Sequence, residues 1–150
     1  MLKKLFLLLL AFSLLGLSNA WATDKAIFDV RISKAKSLLF ALKVIEETAE
    51  GMRAQGMNPE FVLAFRGSTL KLLTTDPDVE SPEDEKTLAE VRERLKAYKE
   101  KGMVLEACNV AARIFDIDKE ELDPNLHLVT NSLISVIDYQ NRGYALVPMY

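Results

Sequence analysis

The 150-residue chain has one Cys and one His, which excludes a four-cysteine zinc site, a mixed cysteine and histidine site and a His-rich catalytic metal centre. A lone Cys also excludes a disulfide framework. No run of Lys or Arg interrupts the body, and a formal charge of -3 gives no electrostatic footprint for DNA or RNA. Glycine is scarce, at six residues, and neither G-x-G-x-x-G nor G-x-x-x-x-G-K occurs, so the backbone cradle of a nucleotide-binding loop is missing. What remains is 49% hydrophobic and 27% charged, the composition of one compact domain without repeats or low-complexity tracts.

The first 22 residues have the pattern of a secretory signal peptide. Lys3 and Lys4 form a basic start, Leu5 to Leu17 is apolar, and small residues follow. This mostly apolar stretch of 13 residues falls short of the roughly 20 that span a bilayer. Two cleavage sites fit the small-x-small rule, Ser18-Asn19-Ala20 and Ala20-Trp21-Ala22; the second leaves a polar Thr23-Asp24-Lys25 start. A lipoprotein needs a Cys just after the apolar run, whereas the only Cys is at 108. The expectation is a periplasmic domain, residues 23–150, with no membrane attachment once the leader is gone. N-terminal sequencing of the mature protein checks it and should start near Thr23. Loss of the two leader lysines moves the formal charge from -3 to about -5.

The body alternates strand and helix patterns. Short β-prone runs lie at Ala26–Val30, Phe61–Phe65, Met103–Cys108, His127–Asn131 and Tyr144–Val147. Helical stripes occupy Ser33–Gln55, Ser68–Leu73, Pro82–Lys101, Asn109–Phe115 and Ser132–Asn141. Ser81 caps the third of these, Pro82 opens it, and Glu90 and Arg94 pair at i,i+4. Such alternation predicts a three-layer α/β/α fold around a mostly parallel five-stranded sheet.

Ligands of open parallel sheets bind outside the carboxyl ends of the strands. The residues predicted there are Arg31 and Ser33, then Arg66, Gly67 and Ser68, then Cys108 and Asn109, and finally Asn131 and Ser132. Cys108 is the sharpest of them, because a helix start after a strand offers free N–H groups that favour the thiolate. Against that stands the habit of Cys to pack as a small hydrophobe. Arg66 is a candidate to hold an anion, either an external one or the thiolate itself. His127 is expected about 13 Å from the rim, too far for a Cys-His pair. The acidic pairs Glu46-Glu47 and Glu120-Glu121 lie in charge runs and read as surface residues.

Three stretches, FVLAFRGSTLKLL, GMVLEACNVAARIFDI and LDPNLHLVTNSLISVIDYQNRGYALVPM, resemble the DsrE/DsrF-like family over essentially the whole mature chain. The most specific feature is Ala107-Cys108-Asn109 at a strand-to-helix joint, followed by a strand and a helix ending in Gln140-Asn141-Arg142-Gly143-Tyr144. The resemblance implies a homo-oligomer without a cofactor, and in sulfur-relay members the Cys matching Cys108 accepts sulfane sulfur as a persulfide and passes it on to partner proteins. The relay members work in the cytoplasm, whereas this chain carries an export signal, which leaves its donor and acceptor open. Three functions follow as expectations: a sulfur carrier or sulfurtransferase-like protein using Cys108, an oligomeric binding module in which Cys108 is packed, or a redox-sensing thiol.

Overall fold

The computed structural model describes residues 24–79 and 81–150; the segment assigned to the leader lies outside the described residues. Five strands, β1 (Lys25–Val30), β2 (Glu60–Phe65), β3 (Val104–Cys108), β4 (His127–Val129) and β5 (Ala145–Met149), form one sheet in the order β4-β3-β2-β1-β5. Every pairing in it is parallel, so the sheet is wholly rather than mostly so. The helices are α1 (Ala35–Ala54), α2 (Pro82–Glu100), α3 (Asn109–Ile114) and α4 (Ser132–Asn141), with 3-10 turns at Gly67–Leu72 and Lys119–Glu121.

The strand order dictates where the helices lie. From β1 the chain steps one way through β2 and β3 to β4, and right-handed crossovers put the intervening helices on one face. The last crossover starts at β4 and must travel back to the free side of β1, so the same handedness carries α4 to the opposite face. Packing follows suit. Phe28, Val30, Leu63, Phe65 and Leu105 join the large core with Leu38, Leu42 and Ile45 of α1 and Leu88, Val91 and Leu95 of α2. Val136 of α4 and Tyr144 close a smaller core over Ile27, Val62 and Ala64.

Helix α2 begins as its sequence requires, with the Ser81 hydroxyl oxygen accepting the Asp84 N–H and Glu83, Asp84 and Glu85 in the first turn. Its fully buried Tyr98 donates to the Leu42 carbonyl at 2.5 Å and ties α2 to α1. Burial pushes the phenol pKa up to about 12, so Tyr98 remains a neutral donor near neutral pH. Tyr98→Phe removes this tie, leaving the carbonyl only its bond within α1, and should lower stability by about 1 kcal/mol, read from the urea midpoint.

Several boundaries and roles differ from expectation. The stretch predicted as a helix from Ser68 is a tighter 3-10 turn that starts at Gly67, whose φ of 62° carries the chain sharply off β2. Strand β4 is three residues long because Thr130 and Asn131 already turn toward α4, where Asn131 is the cap. Tyr144 is not part of β5; its ring packs edge-on against Tyr139 at 4.8 Å. Glu46 is not a spectator on the surface but accepts from Arg94 of α2 and from Lys101, which caps the end of that helix, and the Lys101 bond is the largest influence holding its carboxyl below the ordinary range. Glu121 closes a capping box with Asp118. The expected Glu90–Arg94 pair is present at 3.2 Å.

Candidate thiol site

At the carboxyl edge of the sheet, β3 leads into α3 on one face and β4 leads into α4 on the other. Two neighbouring strands with opposed exits leave a crevice between them, the place where open α/β sheets bind ligands. Cys108 ends β3 there and stands in register with Val129, the last residue of β4. The starts of both helices converge on its sulfur. Ser132, the first residue of α4, donates its backbone N–H to Cys108 Sγ at 3.4 Å. Cys108 is itself the cap residue of α3, and the N–H groups of Val110 and Ala111 also act on the sulfur.

These groups settle the protonation balance of the thiol. Burial pushes its pKa up; the Ser132 hydroxyl and N–H and the N–H groups of Ala111 and Val110 together pull it down further, leaving it below the ordinary thiol value. The donors on the α3 side are thus one and two residues beyond Asn109, the residue expected to supply them. The sulfur is also enclosed: Cys108 is 4% exposed and unpaired. Low pKa and low exposure coexist because the same helix starts supply the N–H groups and cover the side chain.

Arg66 lies next to this crevice but is already occupied. Its Nε and Nη2 grip the two oxygens of Asp29 at 2.5 and 2.6 Å, and Arg31 Nε approaches the same carboxylate at 3.5 Å. Two donors of the Arg66 fork, expected to hold an external anion or the thiolate, are thus spent on a buried carboxylate of β1. The Asp29 hydrogen bonds dominate the raised pKa of Arg66, and the Cys108 charge adds a smaller contribution, so guanidinium and thiol share one electrostatic neighbourhood. Arg31 in turn stacks on the Tyr150 ring at 4.0 Å.

The remaining predicted residues divide. Asn131 is a cap: its Oδ1 accepts the Leu133 N–H at 3.0 Å, which fixes where α4 starts and so aims the Ser132 N–H. Gly67 shapes the turn after Arg66. Ser33 and Ser68 do not join the thiol; they line an open cleft of about 1320 Å³, together with Lys71 and Thr75, whose walls include neither Cys108 nor Ser132. His127 is exposed and stands opposite Glu106, two residues short of the Cys108 pairing. That is roughly 7 Å along the strand rather than 13 Å, because β4 is shorter than expected. Sequence reasoning missed Asp29, which lies buried inside an apolar run; a carboxylate at a strand position flanked by Phe28 and Val30 was the available signal.

The fold and the crevice define a class, a parallel α/β domain with a single enclosed thiol at its topological switch point. The family model of the DsrE/DsrF-like family matches residues 26–149, and the chain belongs to that family. An uncharacterized protein of Aquifex aeolicus is 32% identical over 127 residues, which is 83% of this chain and 55% of that relative. The chain thus spans about half the length of this relative. Among solved structures, a protein of unknown function from Methanobacterium thermoautotrophicum aligns with a TM-score of 0.62 and the ychN protein of E. coli with 0.52. Each is 13% identical and the alignments cover 83% of this chain and 97% of theirs, a likeness of fold.

Proposed function

We propose that this protein is an exported sulfur carrier that accepts sulfane sulfur on Cys108. The observation that carries the proposal is the convergence of two helix starts on one sulfur whose pKa lies below the ordinary thiol value. The step needs nothing beyond a thiolate and a donor. Cys108 thiolate attacks the outer sulfur of a donor persulfide, R–S–SH; a new S–S bond forms at Cys108, the donor S–S bond breaks, and R–S⁻ leaves with its electron pair. Attack by an acceptor thiolate on the outer sulfur of the Cys108 persulfide reverses the process and returns the thiolate. No oxidant and no general base enters, consistent with the distance of His127.

Export and self-assembly are part of the proposal. The basic and apolar leader supports export. Self-assembly is supported by large apolar side chains left open on the described surface, including Phe40, Ile114, Leu133, Ile134 and Ile137. Light scattering on the mature protein should give a mass above that of one chain, and Ile134→Asp with Ile137→Asp should bring it down to one.

Intact mass after exposure to a sulfane-sulfur donor tests the carrier directly. The wild type should gain one sulfur atom that a thiol reductant removes, and Cys108→Ser should gain none. The low exposure of Cys108 favours the packed-cysteine reading, and that reading prevails if sulfur is taken up only after unfolding.

A further inference from the structure

We infer that the Ser132 hydroxyl is a positioning group for Cys108, a donor reserved for the sulfur when it carries negative charge. The inference rests on the reading of Cys108 as an ionised, sulfur-accepting thiol. Its ground is an anomaly of packing. Ser132 is fully buried at 0% exposure, yet its Oγ has no hydrogen-bond partner. A buried hydroxyl without a partner carries an uncompensated desolvation cost, and buried polar groups in folded proteins are nearly all paired. The only other buried side-chain atoms in that condition among the described residues are Arg94 Nε and Glu106 Oε2, each in a side chain bonded through another atom.

The position of this hydroxyl explains the anomaly. Ser132 opens α4, and its N–H already reaches Cys108 Sγ, which holds the rest of the residue against the sulfur. A neutral thiol is a weak acceptor, so the hydroxyl gains little from it. A thiolate is a strong one, and a charge-assisted bond then repays the desolvation. The residue is therefore mismatched to the resting thiol and matched to its anion. An alanine here would pack equally well around a neutral sulfur, and the hydroxyl is informative for that reason. For the ionised sulfur, the Ser132 side chain is also the largest single influence favouring the charge, ahead of each backbone N–H.

The role has a signature that ordinary packing lacks, a stability effect that depends on pH through one group. A hydroxyl that lowers the folded pKa of Cys108 contributes stability above the unfolded thiol value of about 8.5, and that contribution is lost as pH falls through the folded value. Ser132→Ala should then be neutral or stabilising at pH 5, where the thiol is protonated, and destabilising above pH 9. In a Cys108→Ala background the pH dependence of the substitution should vanish. Thiolate absorbance near 240 nm should show the Cys108 titration of Ser132→Ala moved up by about one unit, a tenfold smaller thiolate fraction below the midpoint.

Sulfur uptake measured on the same samples separates this inference from the carrier proposal. If Ser132→Ala shifts the titration while wild type takes up no sulfur, the carrier proposal fails and the role of Ser132 stands. If wild type takes up sulfur but Ser132→Ala titrates like wild type, or loses the same stability at every pH with and without Cys108, the role of Ser132 is overturned.

Discussion

Replacing Arg66 with alanine is expected to cost about 3 kcal/mol of stability, because it strands a carboxylate in the sheet. Asp29 has a side chain only 6% exposed and depends on the two-pronged grip of Arg66. Arg31, at 3.5 Å and 41% exposed, is a poor substitute. Denaturant unfolding at neutral pH measures the loss. Arg66→Lys should recover only part of it, since an ammonium cannot reproduce the planar fork. Replacing both partners with apolar residues, Asp29→Leu with Arg66→Met, should restore most of the stability, because the cost lies in the unpaired charge rather than in the missing pair. A single variant as stable as wild type would show that Asp29 finds another partner. The effect reaches the thiol as well: an Asp29 charge no longer balanced by Arg66 should raise the Cys108 pKa.

The second large effect concerns the reactivity of Cys108 as a function of pH. A fall of one unit from the free value of about 8.5 raises the thiolate fraction at pH 7 roughly eightfold, and further falls add less as the thiol becomes mostly ionised. The alkylation rate with iodoacetamide should therefore rise with a midpoint below that of a free thiol, although burial lowers the rate at every pH. The midpoint is the decisive quantity. A curve centred on the free-thiol value, or labelling seen only in denaturant, would leave Cys108 as a packed side chain. Comparison with Cys108→Ala gives the matching stability test: the wild type should gain on the variant as pH rises toward 8.5, because its folded thiol pKa is the lower one.

The contrast between Cys108 and Asp29 shows what the sequence discloses about this site. Strand and helix boundaries were legible because apolar period and capping residues are local: Ser81-Pro82 opens α2 and Asn131-Ser132 opens α4 as written. A cysteine between a strand run and a helix run is legible for the same reason. The partnership of Asp29 with Arg66 depends on β1 and β2 lying side by side, and that of Cys108 with Ser132 on β3 lying beside β4. Strand order is a long-range property, and nothing in the local pattern encodes it. The misplacement of Ser33 and Ser68 has the same origin. Both follow strand ends, yet the chain leaves β1 and β2 toward the α1 side and takes them into a separate cleft.

The two borders of the sheet bear on whether a further strand can be added to it. At one border β4 offers only three residues. At the other, the Met149 carbonyl accepts the Arg31 N–H, so Met149 faces inward and the alternation turns Pro148 outward, where its ring nitrogen has no hydrogen to give. A newcomer strand approaching that border finds a gap in the ladder, and one approaching the other finds too few rungs. Growth by strand addition is closed off at both ends. The self-assembly proposed above would then run through side chains on the helical faces, such as Ile134 and Ile137, and would spare the backbone ladder that holds β3 and β4 on either side of the thiol.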